Sequence, residues 1–194
     1  MRKFAIIFIL LLIISGCSNK PSLELVSSSV EISDKNSVGI SSTSGEKKGE
    51  IIKPISLSYQ FVIKNNGKKT LGETEKFNNE TFQYDDGIKF YIEPNKKLLE
   101  VTESIMGVNI FDKEKMQQTE LGTVRSGPAI LESNQEGKYS IDFELGALEE
   151  NSEIRVAPSP EQLVKLEKSS LNATLIISIE DKEIGRFDLK NSNK

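Results

Sequence analysis

An antiparallel β-sandwich is the fold class this sequence predicts, on three observations. Apolar and polar residues alternate in short runs, turn-forming clusters interrupt those runs about every ten residues, and only one stretch carries a full set of helix-start signals. Alternation with a period of two places successive side chains on opposite faces of a strand, so each run describes a half-buried sheet element.

The elements follow in order. Residues 23–32 read as a strand whose inward phase changes midway. Leu23 and Leu25 share one parity, Val26, Val30 and Ile32 the other, and Ser27-Ser28-Ser29 marks the change. A bulge or a switch of partner is expected there. Residues 33–53 are rich in Ser, Gly and charge, with Gly45 and Gly49 among them. They read as a long mobile loop or a linker, and the apolar strand before them favours the loop. Ile55, Leu57, Tyr59, Phe61 and Ile63 then alternate with Ser56, Ser58, Gln60, Val62 and Lys64, the clearest half-buried strand in the chain. Asn65-Asn66-Gly67 supplies turn residues that tolerate positive φ.

Strands are expected next at 81–84, 88–92, 98–101, 105–111 and 121–124, punctuated by Asp85-Asp86-Gly87 and Glu93-Pro94-Asn95. Tyr139, Ile141, Phe143 and Leu145 repeat the clean alternation. Ser159, Pro160 and Gln162 form the helix start: a capping serine, proline in the first turn, and glutamine three residues after the cap. That predicts one short helix near 160–168. Residues 171–179 and 184–189 close the chain as a hairpin around Asp181-Lys182-Glu183. The domain organisation expected is a single β-sandwich domain over 22–190 with a long flexible loop at 33–53.

Composition removes many chemistries. The 194 residues contain no histidine, no tryptophan and one cysteine, Cys17. Without histidine there is no Ser–His–Asp arrangement, no cysteine–histidine nucleophile and no imidazole metal site. With a lone cysteine, no disulfide closes within the chain. A serine nucleophile would need a lysine base, and Ser44-Gly45-Glu46-Lys47 has that spacing. It lies in a loop and not at a helix start, and Lys68-Lys69-Thr70 lacks the glycine that should follow, so these read as solvated loop residues.

Carboxylate pairs occur at Asp85-Asp86, Asp142/Glu144, Glu149-Glu150 and Glu180-Asp181. Asp142 and Glu144 share the strand face opposite Tyr139 and Phe143, which is expected to meet solvent. Asp85-Asp86-Gly87 falls short of a calcium loop and reads as a turn. Lys47-Lys48, Lys68-Lys69 and Lys96-Lys97 read as solubilising turn charge, or as an anionic-ligand patch if the fold joins two of them. Met106 and Met116 read as core filler. No catalytic residue, metal ligand or cofactor is assigned.

The amino terminus gives an address. Arg2 and Lys3 precede an unbroken apolar run over 4–14, too short for the ~20 residues of a spanning helix. Ile14-Ser15-Gly16-Cys17 follows, with small residues just before the cysteine. This segment resembles the type II signal of bacterial lipoproteins. The resemblance implies a signal peptide over 1–16, a diacylglyceryl thioether on Cys17 with palmitate among its chains, and a lipidated tether over 17–21. Two chains suffice for stable anchoring, since each buried methylene contributes about 0.8 kcal/mol. Removal of 1–16 leaves 23 basic against 29 acidic residues, a net charge of −6. An acidic domain is pushed away from an anionic bilayer and from nucleic acid, so nucleic acid is not an expected partner.

A second resemblance spans residues 61–91. Phe61-Val62-Ile63-Lys64-Asn65-Asn66-Gly67-Lys68-Lys69, then Phe82-Gln83-Tyr84-Asp85-Asp86-Gly87 and Phe90-Tyr91, resemble the telokin-like, immunoglobulin-like domains of Gram-positive lipoproteins. It implies an immunoglobulin-like sandwich; the missing Cys–Trp–Cys pattern removes only antibody-type features. The expectation is a non-catalytic binding or accessory protein, held on the extracytoplasmic face of the cell membrane by its lipid, with a protein or cell-envelope polymer as partner. Two other classes stand beside it: an inhibitor or chaperone-like partner of a secreted enzyme, docking through 33–53, and an enzyme built on carboxylates.

Overall fold

The computed structural model describes residues 21–191 except 36, 46–47, 74–76, 79–80 and 83–86. The described chain is mainly β and its sheets are antiparallel. A four-stranded sheet has the order β1 (Leu23–Ser33), β4 (Pro54–Asn65), β9 (Glu136–Ala147), β8 (Thr123–Ser126). A three-stranded sheet has the order β11 (Lys182–Asp188), β10 (Ala173–Ile179), β7 (Lys89–Pro94). Two short ladders complete the strands: β2 (Ile40–Ser41) with β3 (Ile51–Ile52), and β5 (Phe77–Asn78) with β6 (Thr81–Phe82).

One core joins the two larger sheets. Leu57, Tyr59, Phe61 and Ile63 of β4 and Tyr139, Ile141, Phe143 and Leu145 of β9 cluster with Phe90 and Ile92 of β7 and with Leu175 and Ile177 of β10. The even alternation read from the sequence is therefore the inward face of both central strands. Burying each such side chain contributes about 2 kcal/mol. Tyr59 packs edge-on against Phe143 at 6.0 Å between ring centroids, and its hydroxyl donates to the Ser170 carbonyl at 3.0 Å. That bond satisfies the one polar atom of a fully buried ring, and burial raises its phenol far above the ordinary value.

The phase change in β1 is a bulge. Leu25 faces Ile63 but Ser27 faces Val62, so Val26 has no partner and the parity of the strand reverses one residue before the serine run. The edge of β1 is covered where the Ile32 amide donates to Glu167 at 3.3 Å.

Three helices are present among the described residues, where one is expected from the sequence. α3 (Pro160–Ser169) is the expected one, with the complete capping box of Ser159 and Gln162. α1 (Lys96–Met106) replaces the strand expected at 98–101 and the start of the one expected at 105–111, whose remainder is bend and turn. α2 (Lys113–Gln117) forms where no element is expected. Leu98, Val101, Thr102 and Met106 are buried on α1, a spacing of three to four that strands cannot provide. Asn95 caps its start by accepting from the Leu98 amide at 3.0 Å, and Gly107 ends it in the left-handed region. β-branched Val101 and Ile105 suggest strand, but the two caps and the apolar stripe outweigh that propensity. The hairpin between β10 and β11 turns at Glu180 and Asp181, both at positive φ, one residue earlier than expected.

The described residues of 37–53 form more than a plain loop. The β2–β3 ladder is extended by Ser42 N–H to the Glu50 carbonyl at 2.9 Å and Gly49 N–H to the Ser42 carbonyl at 2.8 Å.

Candidate functional site

The outward face of the four-stranded sheet carries the densest polar array. Register aligns Ser29, Gln60, Ser140 and Ser126 in one row across all four strands. The next row toward the end of β1 aligns Glu31, Ser58, Asp142 and Val124. Around the first row lies an open depression of about 480 Å³, lined by Ser27, Ser29, Gln60, Ser126, Lys138 and Ser140 among others. Hydroxyl, amide and ammonium groups dominate it, so it offers hydrogen bonds in both senses and one positive charge.

The carboxylates of this face are not in solvent, contrary to the expectation from strand parity. Asp142 is 2% exposed and Glu144 is 7% exposed. Strand parity holds, and both lie on the face opposite Tyr139 and Phe143. The other sheet positions around them are buried too, Ser56 and Ser58 included. Ser58 Oγ donates to Asp142 Oδ1 at 2.5 Å and Ser140 Oγ to Asp142 Oδ2 at 3.1 Å. The Gly122 amide donates to Glu144 Oε2 at 2.6 Å. Each carboxyl group thus accepts from neutral donors, as a buried polar group requires.

The remaining sequence candidates lie apart from this face. Ser44 sits at a bend and opens no helix; Glu46 and Lys47 lie outside the described residues, as do Asp85, Asp86, the residues 1–16 and Cys17. Glu149-Glu150, Glu180-Asp181, Lys68-Lys69 and Lys96-Lys97 are exposed at separate turns and termini. Met106 and Met116 are buried in the core. Among the described residues no group of three or more His, Cys, Asp or Glu is placed to hold a metal ion. No helix among them is long and apolar enough to cross a membrane.

Two features escaped the sequence reading. Asn65 does not adopt positive φ, and neither do Asn66 and Gly67. Instead Asn65 is fully buried, accepts from the Gly67 amide at 2.9 Å, and donates through Nδ2 to the carbonyls of Lys69, Leu131 and Glu132. It is an anchor for two loops. The second feature is a clasp at the opposite end of the sheet. The Thr43 amide donates to Glu153 Oε1 at 2.9 Å, and Ser44 Oγ to Ser152 Oγ at 2.9 Å, tying the β2–β3 segment to residues 148–156.

The Thr43 amide, and after it the Ser152 hydroxyl, hold the Glu153 carboxyl below its ordinary value of 4.5. A carboxyl depressed on folding stabilises the clasp at neutral pH and loses that contribution as pH falls through its folded value. The Thr43 amide proton shift is therefore expected to titrate with a midpoint below 4.5. A midpoint at or above that value in an NMR titration contradicts the clasp.

No protein-family model matches the chain, and no curated protein or solved structure proves similar to it.

Proposed function

We propose that this chain is a non-catalytic binding protein of the bacterial cell envelope, tethered by a lipid on Cys17 to the extracytoplasmic face of the membrane. Its frame is an immunoglobulin-like sandwich. Lettering the seven main strands A to G in chain order turns the sheet orders into A-B-E-D and G-F-C, the division of a constant-type immunoglobulin domain. The observation that carries the binding role is the depression on the outward face of the A-B-E-D sheet. Its lining of hydroxyls, one amide and Lys138 suits hydrogen bonding to a protein or an envelope polymer.

A second reading, an accessory or inhibitor of a secreted enzyme, gains from residues 37–53, where Val38 and Ile51 are each 62% exposed on a segment clasped in place. Large apolar side chains held rigidly in solvent are the anatomy of a docking element.

Membrane attachment is the part to test first. Fractionation of cells making the natural chain should place it with the membranes, digestible by protease added outside. Cys17→Ala should leave the membrane fraction. Retention of the variant in that fraction, or protection of the natural chain from external protease, contradicts the proposal.

A further inference from the structure

We infer that the end of the domain farthest from the lipid is a protein-docking tip, and that its partner presents an apolar anchor ringed by lysine and arginine. This rests on the accessory reading above.

The tip is built from three segments. Ser33 of β1 lies opposite Ser56, and Pro54 of β4 opposite Ala147, so the end of β1, the start of β4 and the end of β9 share one end of the sheet. Residues 37–45, 48–53 and 148–156 lie there and are clasped by Thr43–Glu153 and Ser44–Ser152. Four of the seven large hydrophobic residues that stand exposed among the described residues belong to these segments: Val38, Ile51, Leu148 and Val156. Ile51 and Leu148, at 62% and 68% exposure, flank a cavity of about 190 Å³. A Cβ on Gly39 would lie 2.3 Å from Ile51 Cγ2, so the glycine lets Ile51 lie flat across the neighbouring chain. The Ala147–Val156 bridge fixes the other side. The apolar patch is therefore held in shape before any partner arrives, which lowers the ordering cost of binding.

Position and charge select the occupant. β1 starts at the opposite end, where Leu23 faces Asn65. Only three residues lie between Cys17 and Pro21, a reach of at most ~15 Å. The eleven residues of β1 then run ~35 Å toward the tip. A lipid-held domain thus keeps its opposite end near the bilayer and offers the tip outward. Glu50 and Glu149 line the cavity against Lys53, and the same segments carry Glu150 and Glu153 against Lys48 and Arg155, so the rim keeps a small acidic excess among the described residues. An acidic rim repels anionic lipid and a second copy of itself, and it attracts a basic one.

The test uses the full-length lipidated chain on intact cells. A photo-crosslinking phenylalanine analogue replaces Leu148 in one variant and Ser29, in the sheet depression, in another. The tip variant should capture one reproducible protein, whose crosslinked peptide holds an apolar residue flanked by Lys or Arg. Ile51→Asp, placed in the Leu148 crosslinking variant, should cut that capture about tenfold or more. It should leave thermal stability nearly unchanged, since the side chain it replaces is exposed. Glu50→Lys should lower capture and flatten its salt dependence. Crosslinks from the tip to lipid, to a second copy of this chain, or to an acidic surface overturn the inference. Capture from Ser29 but not from Leu148 overturns the tip and leaves the binding reading standing. Capture from neither position overturns both.

Discussion

Asn65→Asp is expected to unfold this domain at neutral pH more readily than any other single exchange of one polar side chain for another. Asn65 is fully buried, and its amide nitrogen faces the carbonyl oxygens of Lys69, Leu131 and Glu132 at 2.8, 3.1 and 3.1 Å. A carboxylate there sets negative charge against three acceptors with no donor of its own. Asn65→Ala removes the same bonds without adding charge. It leaves the Gly67 amide and the loop carbonyls short of a partner, at a cost of about 3 kcal/mol. Asn65→Asp should cost more. Urea unfolding followed by circular dichroism ranks the two: wild type, then Ala, then Asp. An Asp variant as stable as wild type contradicts the anchoring role, and so does an Ala variant within about 0.5 kcal/mol of wild type.

Gly146→Val should come next in size. Gly146 sits where the β4–β9 register shifts, at φ 125°, a backbone conformation that β-branched residues avoid. A Cβ there would lie 2.6 Å from the Arg155 carbonyl oxygen and 2.8 Å from the Ala157 nitrogen. Those are backbone atoms bonded to Ala147 on both sides, through Ala147 N–H to the Arg155 carbonyl at 3.0 Å and Ala157 N–H to the Ala147 carbonyl at 2.7 Å. Neither can move without breaking the bridge that supports the tip. Strain and the lost bonds together cost about 3 kcal/mol or more, a fall of about 10 °C in Tm for a domain of this size. Arg155 Nη1 also donates to the Met106 carbonyl at the end of α1, so the damage should reach that helix. A Tm within a few degrees of wild type contradicts this account.

What the sequence made legible is what a period of two can encode. β4 is read to within a residue at each end and the centre of β9 is found, because the large apolar side chains of both strands keep to one face. β9 nevertheless runs from 136 to 147, and the polar residues on the other face of both strands are partly buried as well. The bulge in β1 is legible as a change of parity, displaced by one residue. α1 escaped because Val101 and Ile105 are β-branched and the apolar runs around them are short. Their spacing of three and four, together with Asn95 and Gly107 at the ends, was the signal to weigh instead. Asp142 and Glu144 divide the question: parity gives the face, but only the packing of other parts of the chain decides whether that face meets water.

The tip was hardest to see. Ile51 and Leu148 lie 97 positions apart in polar segments, and each alone resembles an ordinary exposed aliphatic residue. Only the register that sets Pro54 beside Ala147, and the clasp from Thr43 to Glu153, brings them together. The glutamate of that clasp lies in a charged stretch with no pattern to distinguish it from its neighbours Glu149 and Glu150.

The envelope-tethered account stands or falls on one covalent bond. Mass spectrometry of the amino-terminal peptide from protein extracted out of its native membrane reads that bond directly. The account predicts a chain that begins at Cys17 and carries a diacylglyceryl thioether, with residues 1–16 gone. A chain that begins elsewhere, or a Cys17 with an unmodified thiol, contradicts it.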